Sequence, residues 1–423
     1  MVVKYFPKLI NMDGIFFKIG LFLLPSAFSF SSIFILCSLL IQTYKRYQLF
    51  FKDFYNQILF CISLLMILSC LIQNLFIEDK YYFIIEKYIT WIGLFNWIPF
   101  FWIFWAAQGL LETKKNRNDF SLILILGTIP VIISGIGQYF FNWIGPLKFF
   151  NGLIIWYQRP INEISGLTGL FNHANYAGAW LTLIFPLCIA QILNSKNKFK
   201  FSFLLILLLG IGTCIFLTNS RNAWGSSILT MPLIFGSSSL WWFLPIILFI
   251  FSLVLFSTNN IFQGDFQDYL INILPKKFLF EFTNEGFSHL NATRMEIFNS
   301  AIKIILNNPF FGTGSGSFPV IFELETGFWK GHSHNLFAEL AISYGLPTTI
   351  IFIIFLIFLF YNSFKKIFYY PLNILNEKAY WSASLIFIVS QLVDVQYFDG
   401  RISIVFWLLL SGLKTIIDDK KLV

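Results

Sequence analysis

Two histidines stand one residue apart in GHSHNLFAELAISYG, residues 331–345, where a long apolar segment begins. They are His332 and His334, and the whole protein has only four histidines. His334 precedes Asn335, where a helix is predicted to start, and the positive end of a helix dipole disfavours a protonated imidazole. A neutral imidazole can accept a proton from an attacking hydroxyl group. His334 is therefore the candidate general base, and His332 would orient it or contact an acceptor.

Two other interpretations of the histidine pair stay open. His334 could cap the helix or lie at the membrane interface, and an H-x-H pair in an extended segment can coordinate zinc. The sequence around the pair, however, offers no Cys or Asp that would complete a usual zinc ligand set. We therefore predict no metal ion and no other cofactor.

Two arginines stand at predicted helix N-termini. Arg221 lies in LTNSRNAWG, where one apolar run ends and the next begins, and Ser220 or Asn222 could cap the second helix. Arg294 falls in the first turn of a helix in NATRMEIFNSAIKIILNN. A guanidinium adds a charge and a planar donor fork to a helix end that already favours anions. Two such ends suit a diphosphate, although a lipid-headgroup anchor or a surface charge would also explain each arginine.

The helix that carries Arg294 is predicted to be amphipathic. It begins with Thr293 and Glu296 at the spacing of a capping box and stops at Asn307-Asn308-Pro309. Phe298, Ala301, Ile302 and Ile305 recur at helical spacing on one side. We expect this helix to lie along the membrane surface or beneath a packed lid.

A third polar segment is GLTGLFNHANYAGAWL, residues 166–181. Asn172 and His173 could donate hydrogen bonds to sugar hydroxyls or phosphate, whereas Asn175 is better explained as the N-cap of the following span. The fourth histidine, His289, has no supporting neighbours and is predicted to be a surface residue.

The composition indicates an integral membrane protein. Hydrophobic residues make up 57% of the chain and charged residues 12%, whereas soluble domains carry about 25% charged residues. The net charge of +8 comes from short basic clusters between apolar runs, which is a topology signal and not a nucleic-acid surface.

The predicted fold class is all-α: a single integral membrane domain over residues 1–423 with about twelve transmembrane helices. The first two segments could instead form one tilted helix, which would make eleven. The basic clusters fall in every second loop, so they share one face of the membrane. The positive-inside rule makes this face cytoplasmic, and both chain ends are placed on it. The predicted segments are 14–26, 27–43, 55–76, 89–110, 119–140, 176–193, 201–218, 223–236, 238–257, 339–361, 380–397 and 402–417.

The opposite face holds two long segments, 141–175 and the large periplasmic loop 258–338, which contains the amphipathic helix. The spans carry few ionisable side chains: Asp394 is the main deep candidate, and Glu339 lies near a boundary. Because transporters place polar residues along their pathways, this scarcity favours chemistry at the outer surface.

The four stretches GLTGLFNHANYAGAWL, FLTNSRNAWG, NATRMEIFNSAIKIILNNPFFGTGSGSF and HSHNLFAELAISYGLP, in this order, resemble the O-antigen ligase and polymerase superfamily. The resemblance covers about residues 119–417. It implies a multi-pass enzyme of the bacterial inner membrane whose active face is periplasmic. The expected partners are a polyprenyl-diphosphate-linked glycan donor, a lipid A-core or other glycan acceptor, and the lipid bilayer.

The resemblance also implies residue roles. Arg294 corresponds to the family's loop arginine, Arg221 to the arginine of its S-R turn, and His334 to the histidine of its H-x-H-N segment. The sequence SYGLP departs from the family, which often has an acidic residue just before this glycine and a second glycine after it. Glu339 stands several residues earlier, and its role stays open.

The expected reaction is an inverting glycosyl transfer that needs no metal. Arg221 and Arg294 would hold the diphosphate, and His334 would deprotonate the acceptor hydroxyl. A polymerase that joins two lipid-linked units is the nearest alternative. A bicarbonate or other solute transporter would be expected to show an inverted repeat, and none is evident. A scaffold in an export complex is the non-enzymatic alternative.

Overall fold

The computed structural model describes residues 12–76, 87–161, 166–258, 292–369 and 375–419, together with Gly264 and Tyr269. These ranges are mainly helical and contain one antiparallel hairpin of β1 (Leu147–Phe149) and β2 (Ile154–Trp156). Short 3₁₀ turns cover Tyr47–Lys52, Leu94–Asn96, Ala107–Leu110, Phe150–Gly152 and Ser237–Ser239. The α-helices are α1 (Asp13–Leu23), α2 (Phe28–Arg46), α3 (Phe54–Phe76), α4 (Lys87–Gly93), α5 (Ile98–Ala106), α6 (Lys114–Gly127), α7 (Ile129–Phe140), α8 (Ala174–Leu193), α9 (Lys198–Leu217), α10 (Arg221–Phe235), α11 (Leu240–Thr258), α12 (Arg294–Asn307), α13 (Ser317–Thr326), α14 (Leu336–Tyr344), α15 (Leu346–Phe368), α16 (Leu375–Ser390) and α17 (Gly400–Asp418).

Within the described ranges, eight helical stretches are long and apolar enough to cross a bilayer. Each overlaps a predicted span, so the helical, membrane-spanning class is confirmed, whereas the total of about twelve stays a prediction. α1, α10, α11 and α16 also coincide with predicted spans but are not among the eight. The eight stretches are Phe28–Lys52, Phe54–Leu75, Tyr88–Leu110, Lys114–Phe140, Ala174–Leu193, Lys198–Leu217, Leu346–Phe368 and Gly400–Asp418.

The first two helices form a hairpin, which was one of the two predicted alternatives. Two serine hydroxyls of α2 donate to backbone oxygens of α1: Ser31 to Gly20 and Ser38 to Asp13, each at 2.7 Å. Gly20 permits this approach, because a side chain there would collide with Ile35.

The prediction of one continuous span over 339–361 was wrong. Gly345 has φ +87, which ends α14, and α15 begins at the next residue. The backbone N–H of Leu346 donates to the carbonyl oxygen of Pro309 at 2.7 Å, and a Cβ at position 345 would lie 2.1 Å from the oxygen of Phe310. The segment that follows α12 therefore packs against the break, and α14 and α15 are separate helices.

The amphipathic helix α12 packs against α13 and α14 through an apolar face that differs from the predicted one. Phe298 and Ile302 are each 39% exposed. The buried side is shifted by about one residue, because α13 and α14 supply the surface that α12 covers. The cluster between these helices consists of Ala292, Ile297, Ala301, Ile304, Phe318, Ile321, Phe322, Ala338 and Ile342.

Helices α8 and α17 are the most enclosed spans, and their tryptophans Trp180 and Trp407 are fully buried. The polar segments that precede them, 166–173 and 391–399, are therefore attached to the most tightly packed helices of the described chain. Such helices fix the position of the side chains at their N-terminal ends.

Candidate functional site

A cavity of about 590 Å³ lies where four of the described helices begin. Its wall includes Ala174 at the start of α8, Arg221 at the start of α10 and Arg294 at the start of α12. His334 also lines it and precedes Asn335, the N-cap of α14. Helix N-termini carry partial positive charge and free N–H groups. The backbone alone therefore favours an anion in this cavity.

Two of these helix ends follow the sequence prediction. Thr293 and Glu296 form the capping box of α12, with Thr293 N donating to Glu296 Oε2 at 2.7 Å and Glu296 N to Thr293 Oγ1 at 3.3 Å. Ser220, and not Asn222, is the N-cap of α10: its hydroxyl accepts from Ala223 N at 3.4 Å. Arg221 and Arg294 thus each occupy the first position of a capped helix.

The cap of α8 differs from the prediction. His173, not Asn175, is the N-cap, and its Nδ1 accepts from the backbone N–H of Asn175 at 3.1 Å. The side chain of Asn175 instead donates to Asp394 Oδ2 at 2.7 Å. The N-cap interpretation of Asn175 was therefore wrong, because a tertiary partner takes its amide.

The cavity brings together five of the six predicted site residues. The described lining includes four cations, Arg159, Arg221, Arg294 and Lys330, and the single carboxylate of Asp394. His332 is not part of that lining; its ring packs edge-on against the ring of His334, with the centroids 4.5 Å apart. The predicted residues in the lining are Asn172, His173, Arg221, Arg294 and His334.

Asp394 is the main residue that the sequence interpretation misplaced. The predicted span 380–397 put it deep in the bilayer, but α16 ends at Ser390 and Asp394 lies in the loop that follows. Its Oδ1 is 2.8 Å from His334 Nδ1. Burial opposes ionisation of Asp394, yet the hydrogen bond from His334 and the nearby charges of His334, His332 and Arg294 outweigh it and lower the pKa to about 2. Asp394 is therefore a carboxylate at neutral pH.

The hydrogen-bond donors assign opposite roles to two cavity histidines. Because Asp394 is ionised, His334 Nδ1 donates to it, and Nε2 is left as the proton-accepting nitrogen. His173 Nδ1 accepts from a backbone N–H, which can only donate, so the proton of neutral His173 is on Nε2. His332 Nδ1 likewise accepts from His334 N at 3.2 Å. One ring can accept a proton, and the other two present N–H donors.

The turn that presents His334 has an uncommon backbone conformation. His334 has φ +56, in the left-handed region that few non-glycine residues adopt. Its neighbours hold it there: Ser333 N donates to the Glu339 carboxylate, and Asn335 Nδ2 donates to Leu392 O at 3.2 Å. Such strain persists only where surrounding contacts fix the backbone, and it is frequent at functional sites.

Glu339, whose role the sequence left open, is thus the acceptor beneath the His332–His334 turn. It belongs to α14, which is outside the eight candidate spans, and is only 7% exposed. Burial raises the pKa of Glu339 to about 7, and its hydrogen bonds with Ser333 and the charge of His334 only partly oppose this. Glu339 positions the turn and does not line the cavity.

A loop held by one glutamine forms the far wall of the cavity. Gln138 of α7 accepts from the backbone N–H groups of Thr168 and Gly169 at 3.0 and 2.8 Å and donates to the Thr168 hydroxyl at 3.1 Å. Gly166 lies so close to Thr218 O that a Cβ would be 1.9 Å from it. Only a glycine at position 166 therefore allows this close packing against the end of α9.

The structure corrects the sequence argument on metal ligands. His332, His334 and Asp394 each offer a ligand atom, and these atoms lie within 4.8 Å of one another, so an Asp does stand near the pair. However, three side chains already donate to Asp394, and four cations line the same cavity. Both features oppose the binding of a divalent cation. These residues fit a metal poorly.

Three cavity residues were missed by the sequence interpretation. Asp394 was missed because the apolar residues around it predicted a transmembrane segment. Lys330 precedes the histidine pair by only a few positions, and its charge near them was the available signal. Arg159 was given no role, because nothing in its local sequence connects it to residues far along the chain.

The apolar helices indicate an integral membrane protein, and the cationic lining of its cavity favours an anion. The family model described as O-antigen ligase matches residues 203–353, and this match confirms the resemblance of the chain to the O-antigen ligase superfamily. The matched range contains Arg221, Arg294, His332 and His334, whereas Asp394 lies beyond it. No curated protein matches the chain.

Proposed function

We propose that this protein is a glycosyltransferase of the O-antigen ligase type on the periplasmic face of the bacterial inner membrane. It transfers a glycan from an undecaprenyl-diphosphate carrier to a hydroxyl group of lipid A-core. The observation that carries the proposal is the lining of one cavity by Arg221, Arg294 and His334, with His334 Nδ1 paired to Asp394 at 2.8 Å.

The proposed reaction is a single displacement with inversion. The acceptor hydroxyl attacks the anomeric carbon from the side opposite the diphosphate, and its proton passes to His334 Nε2. The bond between the anomeric carbon and the diphosphate oxygen breaks, and undecaprenyl diphosphate leaves as an anion. Arg221, Arg294 and the helix N-termini stabilise the charge on the diphosphate as it leaves. Asp394 stabilises the imidazolium that forms.

The other predicted residues bind the substrates in this proposal. Asn172 and the Nε2–H group of His173 donate hydrogen bonds to sugar hydroxyls or phosphate oxygens. His332 packs against His334 and limits the rotation of its ring. Burial, together with the nearby charge of His334, lowers the pKa of His332 to about 4, so His332 stays neutral while His334 takes up the proton.

The test is transfer by the purified protein in lipid nanodiscs. Polyprenyl-diphosphate-linked glycan and lipid A-core are supplied, and the products are resolved by mass spectrometry. We expect glycosylated lipid A-core, and we expect His334→Ala to lower kcat by about 10²- to 10⁴-fold, the usual contribution of a general base. Lys303→Ala, on the exposed side of α12, is the matched control and should leave transfer unchanged.

Two results would contradict the proposal. If His334→Ala were fully active, His334 would not be the general base. Elongation of the lipid-linked glycan without transfer to lipid A-core would identify a polymerase, which uses the same donor and a different acceptor.

A further inference from the structure

Beyond the residues that line the cavity, a chain of buried amides reaches Asp394 from behind. Gln391 and Gln396 are 0% and 1% exposed, and neither belongs to the cavity lining. Both lie in the loop between α16 and α17, on either side of Asp394 in the sequence. Their hydrogen bonds run in one direction only, and this direction can be derived.

The direction is set by two backbone N–H groups. Gln391 Oε1 accepts from Gln396 N at 2.9 Å and from Tyr397 N at 3.1 Å. A backbone N–H can only donate, so this atom of Gln391 must be the oxygen. The amide group of Gln391 therefore has one orientation.

The second amide follows from the first. Gln391 Nε2 donates to Gln396 Oε1 at 2.8 Å, so the nitrogen of Gln396 faces the other way and donates to Asp394 Oδ2 at 2.8 Å. Asn175 Nδ2 donates to the same oxygen at 2.7 Å. With two N–H groups pointing at Oδ2, this oxygen carries no proton, and the charge of the carboxylate is available to His334 at Oδ1.

We infer that Gln391, Gln396 and Asn175 are positioning residues that fix Asp394 as an acceptor and thereby hold His334 in the Nδ1–H tautomer, with Nε2 free to take the acceptor's proton. The inference rests on the proposed role of His334. The three amides are neutral, so they orient the carboxylate without cancelling its charge, as a lysine or arginine in their place would do.

Gln396→Glu tests the last link before Asp394. The substitution keeps the shape but places a second carboxylate against Oδ2, and two carboxylates at that distance share one proton. We expect kcat to fall about 10- to 100-fold, part of the contribution of a positioned base. KM should change less than about twofold, because Gln396 does not line the cavity.

Gln391→Glu tests the link before that. It keeps the acceptor for the two backbone N–H groups but loses the donor to Gln396 Oε1, so Gln396 turns its oxygen toward Asp394. We expect a smaller fall in kcat with the same unchanged KM. Gln191→Glu is the matched control, since Gln191 is also buried but bonds to Asn118, outside the cavity. Its kcat should equal that of the native protein.

The pH dependence of kcat separates positioning from a structural role. In Gln396→Glu, the proton shared with Asp394 weakens the negative charge that faces His334. Protonated His334 is then less favoured, so the acidic limb of the pH–rate profile should move to lower pH. A merely structural residue would lower the amount of folded enzyme without moving this limb. Among the described residues, the groups that act on Asp394 or feel its charge are His173, Tyr176, Arg294, His332 and His334, and Glu339 feels the charge of His334.

A measurement on the native protein makes the inference independent of any variant's folding. Histidine ¹⁵N spectra of the labelled enzyme in nanodiscs, with His334 assigned by His334→Asn, report which ring nitrogen carries the proton. The Nδ1–H tautomer supports the inference, and the Nε2–H tautomer overturns it. The inference would also be overturned if the Gln391→Glu and Gln396→Glu variants fold and show the native kcat and an unchanged pH profile. If His334→Ala is fully active, the proposed function fails instead, which is a different result.

Discussion

Charge is distributed differently at the two ends of α17. At its C-terminal end the buried cations are paired. Arg117 of α6 is 1% exposed and pairs with Glu377 at 3.5 Å and Asp419 at 3.0 Å, and Lys414 of α17 pairs with Asp53 and Asp418 at 2.5 Å each. At the cavity near its N-terminal end, the described lining has four cations and one carboxylate.

The difference separates charges that hold the fold from charges that, in the proposed function, bind the diphosphate. Buried ions are stable only when they are paired, and the cluster around Arg117 pairs its charges within the protein, although Arg117 Nε and Glu377 Oε2 have no hydrogen-bond partner among the described residues. The cavity has a cationic excess instead, and a diphosphate would neutralise it. Substitutions at the two ends should therefore affect different measurements.

Removing a cation from the paired end should have the largest effect on stability. Arg117→Met leaves Glu377 buried without its partner, which costs about 3–5 kcal/mol. We expect a large fall in the melting temperature in detergent and normal kcat in the protein that remains folded. Arg46→Met, which removes a more exposed pair with Glu112 at 3.5 Å, should cost less than about 1 kcal/mol. Equal melting temperatures for the two variants would contradict the distinction.

The corresponding change at the cavity should lower activity and spare stability. Arg294→Met removes a donor to the departing diphosphate, so kcat/KM should fall about 10²- to 10³-fold. The melting temperature should stay within a degree or two of native, because Arg294 is an exposed residue at the start of α12. Thermal melts and transfer kinetics on the same preparation check both statements. A variant that melts early and transfers normally would reverse our assignment of the two ends.

A smaller effect is expected from the cap that places Arg294. Thr293→Ala removes the capping box of α12 and should cost about 1 kcal/mol and raise KM for the donor a few-fold. The control is Thr113→Ala, which removes the N-cap of α6, where Thr113 Oγ1 accepts from Asn116 N at 3.1 Å. Its stability loss should match while KM stays native. The cap would have no role in binding if KM were the same in both variants.

The smallest effect is expected at Glu339, beneath the histidine turn, and it should appear as a dependence of the protein's stability on pH. The pKa of Glu339 is raised from 4.5 to about 7, so the folded protein binds more protons than the unfolded chain between these values. Stability should therefore fall as pH rises from about 4.5 to about 7. Glu339→Gln keeps an oxygen that can accept from Ser333 N and should lack this fall. Melting temperatures at pH 5 and 8 test it, with Glu325→Gln in α13, away from the histidine turn, as the control. Parallel pH profiles for native and Glu339→Gln proteins would refute the raised pKa.

Local signals in the sequence predicted local structure well. The capping box of α12 was predicted correctly because both of its partners lie within one helical turn. The buried face of the same helix was predicted one residue off, since α13 and α14 decide which side is covered. The break at Gly345 was missed because the apolar pattern continues across it, and its partner, the chain after α12, is distant in the sequence.

The candidate site was predicted in part. Arg221, Arg294 and His334 were selected by type and by position at helix ends, and these ends meet at one cavity. Asp394 was placed in the bilayer because Leu392, Val393 and Val395 around it are apolar, and Asn175 was explained as a cap. Their mutual hydrogen bond joins residues 219 positions apart, which no local pattern encodes.

The sequence by itself determined the class of protein, since burial of apolar side chains in lipid and the need to satisfy the backbone there permit little else than helices. It also determined where helices begin, because caps act within a turn. Only the tertiary structure decided which of those beginnings share a cavity and which carboxylate meets His334. Hydrogen bonds extend only about 3 Å, so these pairings depend on how the enclosed helices α8 and α17 bring distant loops into contact.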